Sequence, residues 1–241
     1  MSYLTGKYWP GVPALPIHPA GVHTRDNVST ITFVTAYDKL ERRQLADLLE
    51  RLGPDAPTLC AGWTTRDLAA HLVVRERRPD AILSGLLPPL RGHGEHVRLA
   101  KAAQPYPTVL HELRTPPVWS PLSNPLTGGL VNTGEFFIHH EDVRRGTPGW
   151  EPRELDLEEE RALWRLATFT GRIGLRRLGV PATVRADGFG TFTVGTDPQV
   201  TLAGRPGELA LFLSGRQRAA RVEVAGPAAA ADRLRTARLG F

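Results

Sequence analysis

Asn132-Thr133-Gly134-Glu135-Phe136-Phe137-Ile138-His139-His140-Glu141-Asp142-Val143-Arg144-Arg145 reads as the second half of a helix running from about Leu126 and closed by Gly146. The paired C-terminal arginines suit the negative end of the helix dipole. Glu135 and His139 stand one turn apart within it. Upstream, Leu45, Leu48, Leu49 and Leu52 recur at helical spacing until Gly53-Pro54 stops them. Asp38 followed by Glu41 resembles a capping box at that helix's start. A second helix opens after Trp63, with Thr64 and Asp67 in cap positions, carries His71 in mostly apolar company and ends at Pro79. Polar helical pieces are expected over Glu95–Ala103 and Thr108–Arg114. Another helix starts at Asp156, where Glu159 completes a capping box, and runs to Gly179.

After Gly179 the period changes. Thr183–Arg185, Gly190–Val194 and Val200–Leu202 alternate as strands do, separated by Gly and Asp turns. Glu208–Ser214 returns to helix, Arg221–Val224 reads as a strand and Ala228–Leu239 as a last helix. Helices first and a compact mixed segment second predict an α + α/β chain with a boundary near Val180. Residues 1–36, broken by Pro10, Pro13, Pro16 and Pro19 and ending in a β-prone patch at Thr30–Thr35, read as a flexible extension. The helical unit then spans 37–179 and the small α/β unit 180–241.

Composition narrows the function. The 241 residues suffice for one large or two small cores. No apolar run approaches the ~18 residues that span a bilayer. Cys60 is the single cysteine, which excludes an intrachain disulfide and suits a reducing cytoplasm. The pI is near 9.9, but the formal excess is only +5 and basic residues lie beside acidic ones. That dispersal argues against nucleic-acid binding, which clusters positive charge. Small-molecule chemistry is the better expectation, with neither nucleic acid nor membrane as partner.

Residues four apart on a helix share a face, with β-carbons about 6 Å apart. The Glu135 carboxylate and His139 imidazole therefore reach one divalent ion together, and His71 from a neighbouring helix completes a three-ligand set. Three protein ligands leave a position for water or substrate, the mark of a catalytic rather than a structural site. The same spacing also gives a plain surface hydrogen bond, and His71 also suits a satisfied core position. His140 and Glu141 turn about 100° per residue away from His139; His140 suits a supporting position. Asp142 with Arg144 and Arg145 reads as a solvated or domain-contacting charge cluster. Cys60 suits a small buried hydrophobe better than a nucleophile. His93, His96 and His111 read as surface residues.

The blocks Thr58–Leu72, with its Trp63-Thr64-Thr65-Arg66-Asp67-Leu68-Ala69-Ala70-His71 core, and Glu135–Arg145 resemble actinobacterial metal-binding proteins related to mycothiol-dependent maleylpyruvate isomerase. The resemblance covers about residues 38–241. It implies a DinB-like four-helix bundle and a small sterol-carrier-like second domain, the latter on Gly204–Arg216 and Arg221–Gly226. It further implies zinc, or another divalent metal, on His71, Glu135 and His139, and mycothiol as thiol cosubstrate. The resemblance implies a second-domain arginine that helps bind an acidic substrate; Arg216 is the candidate for it, with a cap or salt-bridge arginine as the alternative. The activity implied is isomerisation, or thiol transfer to a small electrophile. A metal-dependent hydrolase, in which His140 or Glu141 stands in as base, and a non-enzymatic metal- or ligand-binding stress protein are the alternatives.

Overall fold

The computed structural model describes residues 26–81, 91–120 and 125–240, with side chains placed over 37–81, 92–120 and 129–240. The described part of the chain is helical through residue 178 and mixed thereafter. Helix α1 (Asp26–Leu52) leads, followed by α2 (Thr65–Arg77), α3 (Arg91–Ala102), α4 (Tyr106–Arg114), α5 (Pro125–Arg144) and α6 (Leu157–Leu178). Strands β1 (Ala182–Ala186), β2 (Gly190–Val194) and β3 (Val200–Ala203) precede α7 (Pro206–Leu213), β4 (Glu223–Ala225) and α8 (Ala228–Thr236).

Helix α1 begins at Asp26, so the β-prone patch Thr30–Thr35 lies in a helix, and Asp38 sits in its interior rather than at its start. Glu41 is accordingly no cap residue. It is fully buried, where His140 Nδ1 lies 2.8 Å from its Oε2 and Arg153 donates to both oxygens. Residues 1–25 of the expected extension lie outside the described part. Helix α2 opens as expected: Asp67 Oδ2 accepts the Thr64 N–H at 3.1 Å, which satisfies a donor that a helix start leaves orphaned. Helix α6 lacks the expected box. Glu159 is 4% exposed, and its Oε1 is without a hydrogen-bond partner among the described residues.

Leu45, Leu49, Leu68, Leu72, Val109, Leu113, Phe136 and Val143 form one buried cluster joining α1, α2, α4 and α5. Helix α1 packs along α5, which fixes the rotation of α5 about its own axis. The sheet has order β2-β1-β3-β4, antiparallel except for the parallel β1–β3 pair. Ala182, Val184, Phe192, Val194, Val200 and Leu202 alternate onto one face and meet Leu163, Leu166, Leu175, Leu209 and Leu213. This second cluster also takes in Phe137, so the buried core runs across position 180 even though secondary structure changes there. Buried charge links the two regions as well. Arg145, the residue just after α5, donates to both Glu208 oxygens at the start of α7, at 3.0 and 2.6 Å, and to the Ala219 carbonyl at 2.5 Å.

Candidate functional site

Helices α2 and α5 meet where His71, Glu135 and His139 face one another. Glu135 Oε1 lies 3.2 Å from His71 Nε2 and 3.4 Å from His139 Nε2. One oxygen therefore serves both imidazoles. The two rings stand edge to face with centroids 5.2 Å apart, and Trp63 flanks His71 at the same centroid distance. Trp63 is itself fixed from outside, where the Arg98 guanidinium lies over its ring and donates to Asp67 Oδ1 at 2.6 Å.

Donor spacing tests whether these residues suit a cation. A tetrahedral ion with bonds of about 2.0–2.1 Å places its ligand atoms about 3.3–3.4 Å apart. The two Glu135–imidazole separations fit that spacing, and all three donor atoms lie within 4.8 Å of one another. Cys60, His139 and Asp142 form a second group by the same proximity. Its chemistry is less suitable. Asp142 Oδ1 accepts Arg216 Nε at 2.9 Å, and Oδ2 meets Arg216 Nη2 at 2.6 Å, His139 Nδ1 at 2.9 Å and Cys60 Sγ at 3.2 Å. Both Asp142 oxygens are already bracketed by the Arg216 guanidinium at 2.9 and 2.6 Å, so a cation there would compete with that pair, whereas Arg75 approaches Glu135 only to 3.4 Å. His139 is the hinge between the groups: Nε2 faces Glu135, and Nδ1 is held by Asp142. A second carboxylate on the far ring nitrogen is how metal-binding histidines are commonly oriented.

Electrostatics follow from burial and these partners. Burial pulls His71 below its usual value despite its hydrogen bond to Glu135. Burial alone would raise Glu135, but hydrogen bonds with His139 and His71, and the charges of His139 and Arg75, hold it well below the carboxylate range. His139 goes the other way. Contacts with Asp142, Cys60 and Glu135 overcome burial and hold it well above the ordinary imidazole value. Asp142, opposed by burial but held by Arg216 and His139, is lowered to about 2.

A cavity of 570 Å³ opens onto this centre, lined by Cys60, Trp63, His71, Glu135, His139 and Arg216 among others. Arg216 reaches it from the turn after α7. There Gly215 takes φ +91° and passes so close to the Leu239 carbonyl that a Cβ would collide with it. The guanidinium spends Nε and Nη2 on Asp142, and Nη1 on the Ser214 carbonyl at 2.6 Å.

The structure thus brings His71, Glu135, His139 and Arg216 to one cavity. It takes His140 and Glu141 elsewhere. His140 turns to Glu41, and Glu141 binds Arg144, Arg145 and Arg153. Neither supports the His71 centre, because each successive residue rotates away from His139's direction. Asp142 is fully buried rather than solvated, and of the two arginines grouped with it only Arg145 spans to the C-terminal region. Sequence reasoning missed two participants whose signals were present. Asp142 follows His139 by three, and Arg75 follows His71 by four; both spacings share a helix face. Arg75 Nε lies 3.4 Å from Glu135 Oε1. Cys60 gave no such signal, because its neighbours come from distant segments.

Residues 39–116 match the family described as the mycothiol maleylpyruvate isomerase N-terminal domain, which bears out the family resemblance over that segment. The matched segment carries Cys60, Trp63 and His71; Glu135, His139 and Arg216 lie beyond it. Comparison with curated proteins and with solved structures yields no match.

Proposed function

We propose, for a chain whose residues 39–116 belong to the mycothiol maleylpyruvate isomerase N-terminal domain family, a divalent-metal-binding protein that activates a low-molecular-weight thiol for addition to a small electrophile. The observation that carries this reading is one carboxylate oxygen set 3.2 and 3.4 Å from two imidazole nitrogens at the mouth of a 570 Å³ cavity. In this reading His71 Nε2, Glu135 Oε1 and His139 Nε2 hold the ion, zinc by preference for this nitrogen and oxygen donor set. Bound there, the cation would supply one thing: it would keep a thiol with an ordinary pKa of about 8.5 deprotonated at neutral pH. Mycothiol is the proposed thiol, and isomerisation or thiol transfer the proposed outcome.

The remaining roles belong to the chain. Trp63 walls one side of the cavity and limits water around His71. Arg216 brings a permanent positive charge to the cavity, which favours an electrophile bearing a carboxylate. The same reading assigns the helical region to a DinB-like four-helix bundle and residues 180–241 to a sterol-carrier-like domain. A hydrolase is less well supported, since the two residues offered as its base, His140 and Glu141, are committed to Glu41 and to arginines. Titrating the cobalt-substituted protein with mycothiol tests the proposal. A thiolate-to-cobalt absorption band and thiol-dependent turnover are expected. Tight ligand binding without turnover would favour a sequestering protein, and metal-dependent turnover without thiol a hydrolase.

A further inference from the structure

Asp142 has no solvent exposure, yet it lies on the residue row that also carries Glu135 and His139, and three side chains from three parts of the chain bring four polar atoms to it. His139 comes from its own helix, Cys60 from the segment before α2, and Arg216 contributes two nitrogens from the turn after α7. Backbone bonds hold this arrangement in place. The Leu59 N–H donates to the Asp142 carbonyl at 2.9 Å, and the Arg216 N–H to the Leu211 carbonyl at 3.0 Å.

An imidazole can rotate about its bond to Cβ and carries its proton on either nitrogen. Asp142 removes both freedoms from His139. In the neutral ring, the form that binds a cation, accepting from Nδ1–H leaves Nε2 as the lone-pair nitrogen and aims it at Glu135 and His71. Asp142 is in turn immobilised by Arg216, whose Nε and Nη2 bracket its two oxygens in the planar fork that suits a carboxylate. We infer that Arg216 and Asp142 form a positioning relay, through which the C-terminal region sets the metal affinity of the His71–Glu135–His139 centre. The inference rests on the proposed metal site, and it gives Arg216 a task separate from any contact with substrate.

The test is zinc affinity rather than turnover. Chelator-treated protein would be titrated with Zn²⁺ against a competing chromophoric chelator. Asp142→Asn keeps shape and removes the anion; loss of an outer partner of this kind weakens metal binding roughly 10–100-fold. Arg216→Ala should move affinity in the same direction, and Arg216→Lys should fall between it and the parent chain. Arg218→Ala, an exposed arginine two residues on in the same turn, should stay within about twofold of the parent. A second readout is the ¹⁵N imidazole spectrum of His139 at a pH alkaline enough to leave the ring neutral, where the Nδ1–H form should dominate in the parent and lose that dominance in Asp142→Asn. Parent-like zinc affinity and an unchanged imidazole spectrum in the Asp142 and Arg216 variants would overturn the relay. A parent chain that takes up no zinc would instead sink the metal reading, and the imidazole spectrum would still decide whether Asp142 fixes the ring.

Discussion

Replacing Glu159 by glutamine removes an ionisable group from the buried junction of α1 and α6, beside the Glu41–His140 contact that helps fix the rotation of α5. Burial, followed by the negative charge of Glu41 and a hydrogen bond to it, pushes the Glu159 carboxyl up to about 8. In the unfolded chain the same group titrates near ~4.3. Between these values the folded state holds a proton that the unfolded state has released, so stability falls as pH rises. The contribution is fully present below about pH 4.3 and is lost as pH climbs through about 8. The span from about 4.3 to about 8, at about 1.36 kcal/mol per tenfold change in proton affinity, sets a ceiling near 5 kcal/mol. Relaxation and water entry around the charged form should reduce the observable to about 2–3 kcal/mol. Glutamine keeps the volume and can still donate to Glu41. Glu159→Gln should therefore match the parent near pH 5, gain steadily above it, and stand about 2–3 kcal/mol more stable at pH 9. Urea denaturation at pH 5, 7 and 9 measures this. Parallel stability profiles for the two proteins would refute the assignment of a buried, protonated Glu159.

Three further outcomes are expected. Arg42→Ala strands Glu76, which is 2% exposed and paired with Arg42 through both oxygens, so urea unfolding should show a loss of about 3–5 kcal/mol. Gly146→Ala drives a methyl group into the Pro57 carbonyl, a backbone atom with no side-chain freedom to yield. It should cost about 1–3 kcal/mol and shift the tryptophan fluorescence of Trp63 on the displaced segment. Adding zinc to a hundred times its dissociation constant should stabilise chelator-treated protein by about 2.7 kcal/mol, a rise in Tm of about 5–11 °C for a chain of this size. An unchanged melting curve would count against metal binding in the folded state.

Local signals in the sequence were legible, and long-range ones were not. Helices α2, α5 and α6 and the strands near 183, 190 and 200 follow from periodicity and caps, because those forces act within a few residues. The Glu135–His139 pair was readable for the same reason. His71 joins it as the histidine of a second apolar helix, and the motif resemblance strengthens that choice, although nothing in local spacing brings α2 against α5. The pattern at Asp38–Glu41 has the form of a capping box, but α1 extends further back and Glu41 meets His140 and Arg153 across the helix packing. Glu159 misled in the same way: a capping pattern describes what is possible locally, and burial against a neighbour decides what happens. Asp142 is the instructive miss. Its three-residue spacing from His139 was visible, but its meaning depends on Arg216, 74 residues away.

The most direct test is elemental analysis of the purified chain beside its Glu135→Ala and His139→Ala variants. About one divalent ion per chain in the parent, and close to none in either folded variant, is the predicted result. Variants that retain the parent's metal content would contradict the site.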